Sequence, residues 1–319
     1  MELITQIPIG KTQNPINYKS RILIMGSCFS EHMGCKLAYY KFQVLQNPFG
    51  ILFHPRAIEN MTLRAATQNR YTEDAVFEHN GLWHCFDVHS SMSDSSRQGL
   101  LQKLNDQLEV TRETLTQATH LIFTLGTAWG YRHIQKNIPV ANCYKLPQKN
   151  FSKHLYSIPA IGASLRTTVE TIRSINSDAE LLFTISPVRH LKDGFVENQR
   201  SKAHLIAAVH DIVKNDKGYK GISYFPSYEL MMDELRDYRF YAEDMVHPTK
   251  TAIDYIWERF RETWISEEAY SVMRQVDVVQ KGLAHRPFRR ASKQYLDFRA
   301  ALEEKMAVLQ NKYPFMEFE

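Results

Sequence analysis

Three apolar runs stand out along an otherwise evenly mixed chain: "RILIMG" (21–26), "HLIFTLG" (120–126) and "ELLFTIS" (180–186). Each is rich in β-prone residues, apolar at odd and even positions alike, and closed by Gly or Ser. Such runs read as strands buried on both faces. "GISYF" (221–225) is a weaker fourth. Between them the period changes. In "RQGLLQKLNDQLEVTRETLTQA", "ASLRTTVETIRSIN" and "SKAHLIAAVHDIVKN" apolar residues recur three and four apart, the spacing of an amphipathic helix. Strands alternating with helices predict an open, mostly parallel, doubly wound α/β sheet.

Two stretches depart from that rhythm. Residues 71–92 place Asn80-Gly81 between β-prone flanks, which predicts an inserted β-hairpin. Residues 266–319, with "QYLDFRAALEEKMAVLQNKY" periodic at helical spacing, predict a helical C-terminal extension. No internal repeat or low-complexity linker interrupts the chain. The expectation is one domain over 1–319, with its core at about 20–265.

Composition narrows the class of function. A content of 44% hydrophobic and 12% aromatic residues suits a folded globular chain. Lys+Arg 39 against Asp+Glu 35, a formal charge of +4, is too mild for nucleic acid or an anionic membrane as main partner. The opening "MELITQIPIGKTQNP" lacks a secretory pattern, and no uncharged apolar run could span a bilayer. Cysteines 28, 35, 85 and 143 show no close pairing, as expected of free thiols in a reducing cytoplasm. A cytoplasmic protein is the expectation.

In a doubly wound sheet, ligands sit beyond the carboxyl ends of the strands. The residues following each strand should therefore converge: Ser27-Cys28, Gly126-Thr127, and Ser186 to His190. A later loop adds Asp244 and His247 in "DMVHP". A serine needs a base, and the base needs an orienting group. An Asp three residues before a His can fold back onto Nδ1, leaving Nε2 for the nucleophile, and Pro248 suits the first turn of a following helix. Ser27 is one candidate nucleophile. Cys28, a thiol at a helix N-terminus, is its rival. For the oxyanion the candidate donors are the amides of Ser27 and Gly50, then Gly126 and Thr127. Arg189 and His190 face substrate or form a structural ion pair; a bidentate clamp on a carboxylate or phosphate is the functional reading. His79, His84 and His89 lie five apart with Cys85 and Asp87 nearby, but strand alternation turns His84 away from the other two, so no metal site is predicted.

The blocks "GSCFSEHMG", "NPFGILFHP", "TLGTAWGYR", "ISPVRH" and "EDMVHPT", in this order, resemble the GSCFA family, itself similar to the SGNH (GDSL-like) hydrolases. The resemblance spans roughly 20–265. It implies an SGNH-like, flavodoxin-like fold and an acyl-ester hydrolase. Ser27 would be its nucleophile, His247 its base and Asp244 the orienting group. The substrate would be a small-molecule or carbohydrate acyl ester, with no cofactor. The chain departs from the SGNH pattern twice. Gly-Ser-Cys-Phe stands where Gly-Asp-Ser is usual, so matching glycines puts Cys28 in the nucleophile's place. "GTAW" has Ala128 where the third block has Asn, leaving Thr127 or Asn47 as substitute donor. An acyltransferase on the same site, or a binding module that kept the fold, are the alternatives.

Overall fold

The computed structural model describes residues 5–214, 220–289 and 292–318. Its centre is a five-stranded, wholly parallel sheet. The strands are β1 (Arg21–Gly26), β2 (Gln43–Gln46), β5 (His120–Leu125), β9 (Glu180–Ile185) and β10 (Ile222–Phe225), in the spatial order β2-β1-β5-β9-β10. That is the flavodoxin-like order, in which the chain reverses its direction of travel between β1 and β5. The helices between are α1 (Cys28–Tyr39), α2 (Pro55–Ala66), α3 (Arg97–Gln117), α4 (Ile158–Ile175) and α5 (Phe195–Lys214).

The apolar runs are continuous because each strand feeds two cores. Leu23, Met25, Leu121, Phe123, Leu181 and Phe183 point to the face covered by α2 to α5. Their alternates Ile22, Ile24, Ile122, Leu182 and Phe225 point to the face covered by α1 and the C-terminal helices. Pairing Leu23 with Leu121, and Leu121 with Leu181, keeps each set on one face. Strand β2 is an edge, half-buried throughout, and its "QVLQ" carries no apolar run for that reason.

The expected hairpin is present as β3 (Val76–His79) and β4 (Leu82–Cys85). Asn80 and Gly81 turn with φ of 52° and 74°, the left-handed pair of a tight hairpin. A second insertion is an antiparallel sheet of β6 (Trp129–His133), β7 (Ile138–Val140) and β8 (Phe151–Leu155), in the order β7-β6-β8. The Tyr144 hydroxyl donates to the Cys85 and Val88 carbonyls, each at 2.7 Å, and ties the two insertions together.

After β10 come a helical turn α6 (Ser227–Glu229), then α7 (Lys250–Trp264), α8 (Ala269–Ala284) and α9 (Lys293–Lys312). Val272, Val276, Val279, Leu302, Leu309 and Met316 join Ile22, Phe29 and Trp257 in one apolar cluster. The extension thus shares a core with the sheet. The short basic stretch "AHRPFRRASK" (284–293) includes residues 290 and 291, and the helical stretch "SKAHLIAAVHDIVKN" includes residue 215; these three lie outside the described residues. Among the described residues no helix is long and apolar enough to cross a membrane.

Candidate active site

Four strand-end loops and one later loop meet at the carboxyl edge, around the reversal point between β1 and β5. After β1, Gly26 has φ +146°, and a Cβ there would stand 2.2 Å from the Thr124 carbonyl oxygen; no other residue fits. Its N–H donates to Asn47 Oδ1 at 2.9 Å. Ser27 follows in extended conformation and caps α1, its Oγ accepting from Phe29 N–H at 3.2 Å. Ser27 is only 1% exposed. Cys28 opens the first turn and is half-buried. Burial and then Glu31 push its thiol up from the usual range; the Phe29 and Cys28 amides and the Lys202 ammonium pull the other way.

Three amides expected to face an oxyanion are already spent, Gly126 N–H on the Phe53 carbonyl at 2.8 Å among them. Ser27 N–H donates to the Thr124 carbonyl at 3.2 Å, and Gly50 N–H closes a turn onto the Asn47 carbonyl at 2.8 Å. Gly50, at φ +72°, leaves room for His89, whose Cβ would lie 2.5 Å from an added Cβ. Asn47 is the more telling residue of this loop. Its Oδ1 is fixed by Gly26, while its Nδ2 is buried with no acceptor among the described residues.

After β5, Gly126 lacks a Cβ where His190 Nε2 and Phe53 press within 3 Å of the place one would occupy. Thr127 is a structural residue here. Its Oγ1 bonds Ser201 Oγ at 2.9 Å and accepts from Trp129 N–H, while Ala128 N–H donates to the same serine. After β9, His190 is anchored by its own N–H on Asn198 Oδ1 at 2.8 Å, and its ring lies 4.9 Å from that of Phe53. Burial first, then the charges of Lys202 and His247, hold the imidazole down at about 3, so it is neutral near pH 7. Its neighbour Arg189 donates to Met232 Sδ at 3.0 Å and lies 5.9 Å from the Tyr241 ring centroid.

The later loop holds a prewired pair. Asp244 Oδ1 accepts the N–H groups of Val246 and His247, both at 2.9 Å, and Oδ2 lies 2.6 Å from His247 Nδ1. Those bonds hold the Asp244 carboxyl down at about 2, a carboxylate at any ordinary pH. Met245 takes a left-handed φ of 56° so that the chain can double back, and Ala242 N–H closes the loop on the His247 carbonyl at 2.7 Å. Thr249, not Pro248, caps α7, so the proline stands just before the helix, bridged to Tyr241. A Lys36–Asp254 ion pair ties α7 to α1. His247 is half-exposed, and its charge is felt by His32, one turn beyond Cys28 on α1, and by His190. His247 and His190 thus share one field, and the charge of Lys202 acts on both His190 and Cys28.

Lys202 is not singled out by any motif. It is 0% exposed, and its Nζ donates to the carbonyls of Gly126 (2.7 Å) and Ser186 (2.8 Å), joining the ends of β5 and β9. Its signature in the sequence is a lysine in register with the apolar stripe of Leu205, Val209 and Ile212. Against the expected alternation, His79 and His84 share one face of the hairpin, because Phe77 stands opposite His84; their ring centroids are 6.4 Å apart. His84 turns inward onto Ser93 Oγ and the His79 carbonyl, while His89 caps a short turn through Ser91. Among the described residues no group of three or more His, Cys, Asp or Glu is placed to hold a metal.

Sequence comparison adds two matches. The family model described as "GSCFA family" matches residues 21–260, and "GSCFA domain protein, C-terminal domain" matches 276–319. No curated protein matches the chain.

Proposed function

The chain belongs to the GSCFA family, and from that premise we propose that it is an acyl-ester hydrolase working through an acyl-cysteine on Cys28. The observation that carries this reading is the Asp244–His247 pair. Its carboxylate is fixed by three hydrogen bonds, and its imidazole keeps Nε2 for proton transfer, near enough to α1 for its charge to act on His32. A merely capping aspartate needs no histidine at 2.6 Å. Between the two candidate nucleophiles, burial and bonding favour Cys28. Ser27 Oγ is enclosed and engaged as the helix cap, whereas Cys28 is partly open and stands on the first turn, where the helix amides favour negative charge.

The chemistry then runs as follows. His247 Nε2 takes the Cys28 proton as sulfur adds to the ester carbonyl, and the π electrons move onto oxygen. Collapse of this adduct breaks the C–O bond, and His247 returns the proton to the leaving alcohol. Water, deprotonated by His247, attacks the thioester; sulfur departs and is reprotonated. Asp244 stays ionised and holds the imidazole's tautomer throughout. The unspent Nδ2 of Asn47, enclosed before substrate enters, has to be uncovered to serve as the oxyanion donor in place of the asparagine that Ala128 replaces. A lost donor of this kind typically costs ~10²–10³ in turnover.

The test is acyl trapping with p-nitrophenyl acetate, followed by acid quench and peptide mapping. The acyl group should sit on Cys28. Cys28→Ala should lower turnover by at least ~10³. Ser27→Ala should keep most turnover and lose about 1 kcal/mol of stability with its cap. An adduct on Ser27 would move the nucleophile by one residue. Turnover unaffected by either variant, with no adduct on either side chain, would end the proposal.

A further inference from the structure

Two basic side chains near this site, Lys202 and Arg189, form no ion pair among the described residues. Lys202 is wholly buried; the acceptors of its ammonium are two neutral carbonyls, and no carboxylate pairs with it among the described residues. Arg189 is half-buried, three residues beyond Ser186 in the loop that follows β9. Its hydrogen-bond acceptor is a thioether sulfur, and it forms no ion pair among the described residues. A thioether is a weak acceptor, and an aromatic face at 5.9 Å satisfies none of the guanidinium's fork of N–H donors. The two cations also repel. Burial and then the Arg189 charge push Lys202 down to about 7, and the group that opposes them is Cys28 in its ionised form.

An anion joining them would keep Lys202, held at about 7, in its charged form and would give the half-buried guanidinium an acceptor that matches its donors. Their position says which anion. Arg189 leans on Tyr241, and Tyr241 is bridged to Pro248 in the loop that carries Asp244 and His247. The residue after Arg189 is His190, kept neutral and within the field of His247. The carboxylate that acts on Cys28, Glu31, is on α1 and also faces His32 and His89.

We propose that Arg189, backed by the buried charge of Lys202, receives an oxyanion group of the substrate, a carboxylate or a phosphate, while the ester carbonyl lies at Cys28. This rests on the acyl-cysteine reading above and names its substrate class: an acyl ester carrying a negative charge. Planar Arg fits either oxyanion by a two-point contact, which the point charge of a lysine would not impose.

The test reads the field and the binding separately from turnover. The full chain is alkylated with iodoacetate and with iodoacetamide, and rates are followed at Cys28 and at exposed Cys35 by peptide mapping. The ratio of the anionic to the neutral reagent should be on the order of tenfold higher at Cys28 than at Cys35. Arg189→Gln, a change at a half-exposed side chain that the fold can accept, should bring the two ratios together. Succinate and inorganic phosphate are then tried as protectants. Protection by succinate alone assigns a carboxylate, and protection by phosphate alone assigns a phosphate; both should be lost in Arg189→Gln. Equal ratios at the two cysteines, or a raised ratio with no protection by either anion, overturns the receptor. If these hold while acyl trapping fails, the anion site stands and the hydrolase reading falls; the reverse outcome leaves a hydrolase of neutral esters.

Discussion

At the residue scale, the site depends on charges whose states are set by burial. His190, and His54, which caps α2 by accepting from Arg56 N–H, are both largely enclosed, and burial holds their imidazoles down at about 3 and about 4. The unfolded chain protonates each near the ordinary value of about 6.5. Between about 6.5 and those folded values the unfolded state therefore binds protons that the folded state refuses, and stability falls as pH falls. The loss is at most about 1.4 kcal/mol per pH unit for each imidazole, ending once the folded form also titrates. Urea titrations at pH 7, 5.5 and 4.5 should show it. His190→Asn should lose less stability than the parent chain across that window; parallel losses would mean that His190 is not kept neutral. This property is invisible in "ISPVRH", where His190 looks as solvated as any loop histidine. The Asp244–His247 pair is different: its spacing of three lets a loop of one residue type after another be read as a hydrogen-bonded unit.

At the element scale, the junction between β1 and α1 is the tightest piece of the design. Gly26 ends the strand at φ +146° against the Thr124 carbonyl, and Ser27 immediately starts the helix. Gly26→Ala should cost roughly 2–4 kcal/mol, from strain and a clash with backbone that cannot yield. Thermal or urea unfolding checks it; a loss under 1 kcal/mol would mean that the junction relaxes. The three central apolar runs were legible as strands because both of their faces are covered; β10, an edge that is half-buried from Ile222 to Tyr224, gave the weaker fourth. Strand β2 was not legible, since an edge strand with polar residues at both ends carries no such run. The β6–β7–β8 sheet escaped notice for a related reason. Its residues are half-buried and pair only with each other, so tertiary partners rather than hydrophobic pattern hold them. Helices α4 and α5 begin earlier than their apolar periodicity, α4 because Ser157 caps it and Pro159 suits its first turn.

At the scale of the whole molecule, the C-terminal extension is part of the structure that supports the site. It completes the apolar layer over α1 and α7, the two helices that carry Cys28 and follow His247. Deleting residues 276–319 removes Val276, Val279, Leu302, Leu309 and Met316 from that layer. Each buried side chain of this kind contributes roughly 1.5–3 kcal/mol, so the sum rivals a whole domain's stability of about 5–15 kcal/mol. The shortened chain should bind a hydrophobic dye and aggregate in size-exclusion chromatography. A monomer with unchanged unfolding would show instead that the extension is dispensable.

By itself the sequence determined the sheet's central strands, the hairpin at Asn80-Gly81 and the loops expected at the carboxyl edge. These depend on local periodicity and turn chemistry, which a linear string carries. Only the tertiary structure decided which hydroxyl, thiol and amide are free. Ser27, Thr127 and Gly50 look like donors or nucleophiles in the string, yet each is satisfied by a partner up to 97 residues away, such as Thr124. Lys202 looks like one more surface lysine until α5 turns it inward between two strand ends. Availability for chemistry is what remains after the fold has met its own hydrogen-bonding demands, and those demands are non-local.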